Sequence, residues 1–146
     1  MDETAETTTI VDRLGLEVLD PEACWALIAR TPVGRLAFVE DGAPMVLPVV
    51  HGVVGRRIAF RSATGGKLAA ARMSGAVAFE VDEWDVDRRT GWSVVARGTA
   101  DSAPEDSAAL DALHLDPWIG PADRGTWVEI RVDEITGRRI TRPALG

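Results

Sequence analysis

The 146-residue chain has one cysteine, one lysine, two histidines and no long apolar run. Cys24 alone cannot form an internal disulfide. No apolar stretch approaches the roughly 20 residues that cross a bilayer. The first ten residues are acidic and polar, so they lack the basic and apolar regions of a signal peptide. These absences favour a cytoplasmic protein that does not bind membranes.

Positive charge is also scarce. The net charge is −7 at pH 7, which argues against binding to nucleic acid, because the phosphate backbone requires a basic surface. Basic residues are nevertheless concentrated in residues 30–72, which carry seven cationic side chains and two acids. A locally positive segment in an acidic protein suits a small anionic ligand, although ordinary surface salt bridges would explain the same pattern.

Several catalytic and metal-binding motifs are missing. The lone lysine, Lys67, follows two glycines as in a Walker loop, but Leu68 stands where that loop needs a hydroxyl side chain. No G-x-G-x-x-G fingerprint opens a helix, and no G-x-S-x-G elbow is present. His51 and His114 lie far apart beside a single cysteine, so no metal site is predicted. His114 falls in an apolar helical stretch, which is typical of a structural residue.

The order of predicted elements indicates a mainly β protein. Residues 1–15 are expected to form a mobile tail, and residues 16–146 a single domain. Asp20 and Pro21 begin a helix that ends before Pro32. Alternating or β-branched runs predict strands over residues 35–40, 44–54, 56–62, 76–84, 92–103 and 126–140. Within 56–62, Ile58 and Phe60 fall on one face, with Arg57, Ala59 and Arg61 on the other. Because short turns join consecutive strands, we expect antiparallel pairing and closure into a six-stranded barrel with short helices at 67–73 and 104–115.

Two local features suggest where a ligand would bind. A central strand rarely accepts proline, so Pro48 predicts an edge or a bulge in its strand. The next strand ends at Arg61-Ser62, followed by Gly65-Gly66 and the predicted helix that starts near Lys67. Backbone amides at a helix start, together with hydroxyls and cations, can hold one phosphate group. The residues of this predicted phosphate site are Arg61, Ser62, Thr64, Gly66 and Lys67, and a plain exposed turn is the alternative.

Five segments in this order resemble the short form of the pyridoxamine 5′-phosphate oxidase-like family, the FMN-binding split β-barrels. They are GRLAFV, VLPVVHGVVGRRIAFRSATGGKLAA, AVAFEVDE, GWSVVARGTA and WVEIRVDEITGRRI, spread from about Leu19 to Ile140. The resemblance implies a six-stranded antiparallel split barrel. It also implies a homodimer with two cofactor sites, each built by both subunits.

The resemblance further implies a set of cofactor contacts. The flavin ring would lie along Val46, Leu47, Pro48, Val49 and Val50. Its phosphate would be held by the strand end at Arg61-Ser62 and by Lys67. Ser93, after Trp92 on the later strand, would face the flavin across the dimer interface, and Trp127 would lie near the partner's flavin. Trp92 is a candidate for stacking on a ring, and a core or interface tryptophan is its alternative.

The function expected from this resemblance is a flavin-dependent oxidoreductase acting on a small molecule. His51 is a candidate for protonating or orienting a substrate, and a strand-end histidine facing water is its alternative. A reductase using the deazaflavin F420 is a second possibility, with a basic groove formed by Arg56, Arg57 and Arg72. A flavin-binding module without turnover is a third, and haem binding ranks last. Oxidation of pyridoxamine phosphate itself is not expected, because the chain lacks the basic C-terminal extension of the true oxidases.

Overall fold

A computed structural model describes residues 10–62, 70, 73, 75–103, 108–113 and 126–140. Within these segments it contains seven strands and two helices. In chain order they are β1 (Glu17–Leu19), α1 (Pro21–Arg30), β2 (Val33–Glu40), β3 (Ala43–Val54), β4 (Arg57–Ser62), β5 (Ala76–Asp85), β6 (Thr90–Ser102), α2 (Ala108–Asp111) and β7 (Thr126–Ile140). The predicted helix at 67–73 falls almost wholly outside the described residues, and α2 is the described part of the helix predicted at 104–115.

The strands form one antiparallel sheet in the order β1-β7-β4-β3-β2-β5-β6, and β6 also pairs with β7. This β6–β7 pairing closes β2 to β7 into a ring of six strands, so the predicted six-stranded antiparallel barrel is confirmed. One edge of β7 pairs with β6, while its other edge pairs first with β4 and then with β1. The short strand β1 is an addition that the sequence pattern did not predict.

The barrel core follows from the alternation of side chains along each strand. Ile58 and Phe60 of β4 are buried, as their alternation predicted. The core also takes large side chains from the other strands, among them Leu36, Phe38, Val77, Phe79, Val81, Val94, Val128 and Ile130. Ala59 was expected on the outer face of β4, but it is also fully buried, because Trp127 and Leu110 cover it in a second, smaller cluster.

Helix α1 covers one end of the barrel. Asp20 caps it, since the Asp20 side chain accepts a hydrogen bond from the Ala23 amide at 2.8 Å, and Pro21 occupies the first turn as predicted. Its buried residues are Cys24, Leu27 and Ile28. The helix packs closely on β7 because Gly137 leaves room for the Cys24 sulfur, which would lie 2.7 Å from an added Cβ.

Residues 10–15 of the predicted tail contact the rest of the described chain. Asp12 accepts hydrogen bonds from the backbone amides of Leu14 (2.8 Å) and Leu16 (3.0 Å). Its second oxygen accepts a hydrogen bond at 3.0 Å from Nε of Arg138 on β7. The division into a tail and one domain stays a prediction.

Strand β3 has a partner on only one side for most of its length. It pairs with β2 from Ala43 to Val50, but β4 pairs with it only from His51 to Val54. Among the described residues, no strand lies along the other edge of residues 43–50. Pro48 falls in this stretch, so the prediction that proline marks a strand edge is confirmed.

The side chain of His51 connects β3 to α1. Its Nε2 lies 2.9 Å from the Ile28 carbonyl oxygen, which only accepts hydrogen bonds, so Nε2 carries the proton. The ring packs edge-on against Phe79 at 4.7 Å, and the residue is 4% exposed. The alternative of a histidine facing water is therefore wrong. Burial lowers the pKa of His51, which keeps the imidazole neutral.

Stability should therefore depend on pH through His51. An unfolded histidine has a pKa of about 6.5, and the folded pKa lies below that value. The unfolded state then binds the proton first, so the free energy of unfolding should fall as the pH decreases below about 6.5. We expect His51→Gln, which keeps an N–H donor for Ile28 but does not titrate, to flatten this dependence. Urea unfolding between about pH 8 and pH 5 measures it, and equal slopes for the two proteins would contradict the assignment.

Candidate functional site

The part of β3 that pairs only with β2 forms an apolar ledge, defined here as residues 46–50. Val46 is 61% exposed and Leu47 40% exposed, although both are apolar. Pro48 is also exposed, while Val49 and Val50 are half-buried. The five residues that the resemblance assigned to the flavin ring thus lie together, on a strand whose outer edge is free among the described residues. The ledge offers a ligand both apolar surface and backbone hydrogen-bonding groups.

Arg61 lies beside the open edge of the ledge. Phe60 of β4 pairs with His51 of β3, so Arg61 and Ser62 continue to the level at which the ledge begins. The Arg61 guanidinium carbon lies 4.8 Å from the centre of the Trp127 ring. Its Nε is buried and has no hydrogen-bond partner among the residues that the structure describes.

A buried, charged donor without an acceptor is costly, and proteins rarely leave one unsatisfied. An anionic oxygen beside Arg61 would provide that acceptor with a charge-assisted hydrogen bond. The geometry therefore fits an anion at the strand end where the sequence predicted a phosphate.

The Trp127 ring packs against the guanidinium of Arg61. It pairs with Arg61 across β4 and β7 and is only 5% exposed. Ala59, Ala103 and Leu110 surround it in the smaller core cluster. One face of the indole is covered by the guanidinium, which identifies Trp127 as the platform that positions Arg61. The predicted contact between Trp127 and a partner's flavin stays a prediction.

The rest of the predicted phosphate site is only partly described. Ser62 is the last residue of β4 and pairs with Thr126 at the start of β7. Thr64, Gly66 and Lys67 lie outside the described residues. Their part in holding a phosphate therefore stays a prediction.

Trp92 and Ser93 lie far from Arg61 within one chain. Trp92 pairs with Arg139 near the end of the 15-residue β7, whereas Arg61 pairs with Trp127 near its start. At about 3.3 Å per residue, the two positions are separated by most of the length of the strand. A single protomer does not bring these residues together, so a shared site would require a second copy of the chain.

The two residues also belong to opposite faces of β6, because neighbouring side chains in a strand alternate. Trp92 packs against the barrel core, and the Arg30 guanidinium lies 5.7 Å from its ring centre. Both residues nevertheless line a cavity of about 240 Å³, together with Trp84, Gly91, Arg138 and Ile140. The alternation along β6 directs the Ser93 side chain to the outer surface of the barrel.

Sequence reasoning assigned no role to two features of this outer surface. Trp84 is 50% exposed and packs over Gly91, where an added Cβ would lie 2.5 Å from the indole. Arg35 on β2 binds both Asp82 (2.6 Å) and Glu80 (3.1 Å) on β5. Burial, together with the neighbouring Asp82, raises the pKa of Glu80. The alternation of acids along β5 was the available signal for this cluster.

The described residues include no group of three His, Cys, Asp or Glu side chains that could hold a metal ion. None of the helices in the described segments is long and apolar enough to cross a membrane.

Comparison with known proteins gives a consistent family. A family model described as pyridoxamine 5′-phosphate oxidase matches residues 20–139. The uncharacterized protein Rv0080 of Mycobacterium tuberculosis is 39% identical over 129 residues, covering 84% of each chain.

Solved structures share the fold. An FAD-binding protein from Mycobacterium smegmatis is 30% identical with a TM-score of 0.67, covering 86% of this chain and 98% of that one. A protein from Corynebacterium glutamicum, proposed to be a pyridoxamine 5′-phosphate oxidase, is 28% identical with a TM-score of 0.72. That alignment covers 88% of this chain and 95% of the other.

Proposed function

Because the chain belongs to the pyridoxamine 5′-phosphate oxidase family, we propose that it binds a flavin nucleotide and acts as a flavin-dependent oxidoreductase on a small molecule. The observation that carries this proposal is the buried, unpartnered Nε of Arg61 beside the exposed apolar ledge of residues 46–50. A flavin nucleotide joins a flat, largely apolar ring to a phosphate. The apolar ledge matches the ring, and Arg61 beside the ledge matches the phosphate.

Different residues would contact the phosphate and the ring of the flavin nucleotide. Arg61, held in place by Trp127, would donate a charge-assisted hydrogen bond to a phosphate oxygen. Lys67, Thr64 and Ser62 are proposed to complete the phosphate site. The ledge would supply van der Waals contact and free main-chain groups for the ring. Pro48 has no N–H, so it leaves no unsatisfied donor at the edge that the ring would cover.

When bound, the flavin would supply the hydride or electron transfer. The chain would then orient the ring, exclude water from its ledge side and fix the charge beside the phosphate. His51 is not placed for proton transfer on the ledge, because it is 4% exposed and donates its Nε2 proton to Ile28. The protein's contribution would therefore be orientation and electrostatics.

The sequence favours FMN, and the FAD-binding relative from M. smegmatis supports FAD as the alternative. F420 would need a basic groove near the phosphate site. Arg56 and Arg57 lie at the opposite end of β4 from Ser62, and Arg57 is paired with Glu129 at 2.8 Å. Arg72 lies outside the described residues. The described part of the chain thus favours a flavin over the longer deazaflavin cofactor.

The direct test is to denature the purified protein and identify the released molecule by chromatography and mass spectrometry. We expect FMN; release of FAD would keep the flavin proposal and correct the nucleotide. A protein that releases no chromophore, and binds none of FMN, FAD or F420 when each is added, would contradict the proposal. A bound flavin that no pair of electron donor and acceptor can reduce and reoxidise would instead support the non-catalytic module.

Arg61→Gln should weaken FMN binding by about 1.5–3 kcal/mol, the range for losing a hydrogen bond to a charged group. Arg57→Gln is the matched control, because it lies at the other end of the same strand and faces Glu129. Fluorescence titration of the apoprotein with FMN measures both affinities. Equal affinity in the wild type and Arg61→Gln would remove Arg61 from the site.

We also propose that two copies of the chain form a homodimer through the outer surface that contains the ledge. Val33, Val39, Met45, Val46 and Leu47 are each at least 37% exposed on the β2–β3 pair. Exposed apolar surface of this kind is typical of an interface. A dimer would let Ser93 of one copy approach the ledge of the other, which a single chain cannot do.

Val46→Lys should convert this dimer to a monomer, because it places a charge in the proposed interface. Val86→Lys is the control, since Val86 is 75% exposed in the turn between β5 and β6. Sedimentation velocity measures the mass in solution. A wild-type protein that sediments as a monomer at high concentration would contradict the dimer but leave flavin binding open.

A further inference from the structure

A cavity of about 340 Å³ lies at the far end of β7 from Arg61. It is bounded by the last residue of α1 (Arg30), by Trp92 of β6 and by Arg139 of β7. The turn between β5 and β6 closes another side. A volume of this size is within the usual range for small-molecule sites. It shares Glu83, Gly91, Trp92 and Ile140 with the cavity that Ser93 lines, whereas Arg30 and Arg139 line only this one.

The charges around this cavity leave an excess of one cation. Arg88 is occupied by Asp85, whose oxygens lie 3.9 Å from its Nε and 2.9 Å from its backbone amide. Arg30 and Arg139 make no ion pair with any residue in the described segments. Glu83 is the remaining acid on the cavity wall. Two unpaired arginines against one glutamate suit a ligand with a single negative charge.

Trp92 gives the same cavity an apolar wall. The ring is half-buried against the barrel core, and Arg30 is held 5.7 Å from its centre. A planar ligand can contact the indole edge-on or in offset stacking. The guanidinium groups of Arg30 and Arg139 are the groups available to a carboxylate on that ligand, because arginine matches carboxylate geometry with two parallel donors.

We propose that this cavity binds a planar aromatic carboxylate, with Arg30 and Arg139 holding the carboxylate and Trp92 contacting the ring. The site is built by one chain, so it requires neither the dimer nor a bound flavin.

Calorimetric titration of the full-length protein, with the cofactor it carries when purified, tests the site. The probe is 2-naphthoate, and the neutral 2-naphthamide of nearly the same shape is its control. We expect saturable binding of one naphthoate per chain with a Kd below about 1 mM, and at least about tenfold weaker binding of the amide. No saturable naphthoate binding, or equal binding of both compounds, would overturn the proposal.

Two variants locate the probe. Arg30→Gln and Arg139→Gln should each weaken naphthoate binding about tenfold, while Arg97→Gln, which removes a distant cation facing Glu134, should leave it unchanged. The indole N–H resonance of Trp92, assigned by its loss in Trp92→Phe, should shift on binding. Unchanged affinity in the double Arg30/Arg139 variant would overturn the proposal.

Two further titrations test whether naphthoate binds at the flavin site instead of in this cavity. Naphthoate should bind Arg61→Gln as tightly as it binds the wild type, whether or not Arg61 holds a flavin. Displacement of naphthoate from flavin-free protein by a stoichiometric amount of FMN would show that the probe occupies the flavin site, and would overturn the assignment to this cavity.

Discussion

The difference in length between two neighbouring strands determines most of what this molecule can do. β3 has 12 residues and β4 has 6, so β4 extends along only about half of β3. The barrel is closed elsewhere by β6 and β7, so the rest of β3 pairs with β2 on one edge and has no strand along its other edge among the described residues. Backbone groups at such an edge must bond to water, a ligand or another chain. Exposed valine and leucine on the same stretch make a ligand or a second chain the better match.

The position of Arg61 follows from the same difference in length between β3 and β4. It stands where β4 stops, so the strand brings a cation to the edge of the ledge and directs it onto Trp127. The tryptophan fills the small cluster around Ala59 and Leu110, which removes Nε from water without giving it an acceptor. Packing in the second core cluster therefore creates the unsatisfied donor on which the proposed anion site depends.

Local sequence signals were sufficient for the described elements and their order, except for the short strand β1. Asp20-Pro21 marked the start of α1, the alternation around Ile58 and Phe60 gave β4, and Pro48 marked the free edge. The order of five segments then indicated the barrel itself. These signals act over a few residues, which is why they can be found without knowing the three-dimensional contacts.

Long-range contacts could not be predicted in this way. His51 reads as a polar strand end, yet Ile28 and Phe79 enclose it. The contact between Asp12 and Arg138, more than a hundred positions apart in the chain, has no local sequence signal. Ala59 is covered by residues from α2 and β7. In each case the deciding partner comes from a distant part of the chain.

The register between β6 and β7 shifts next to Gly98, because Asp133 of β7 is an extra residue between the partners of Arg97 and Gly98, and the main chains come very close there. An added Cβ at Gly98 would meet the carbonyl group of Arg131, which belongs to the main chain and cannot rotate away as a side chain would. Every single-nucleotide missense change in a glycine codon introduces a side chain, so each one should be rejected here. Homologues with the same register shift between these two strands should therefore keep glycine at this position, even where the residues around it have diverged.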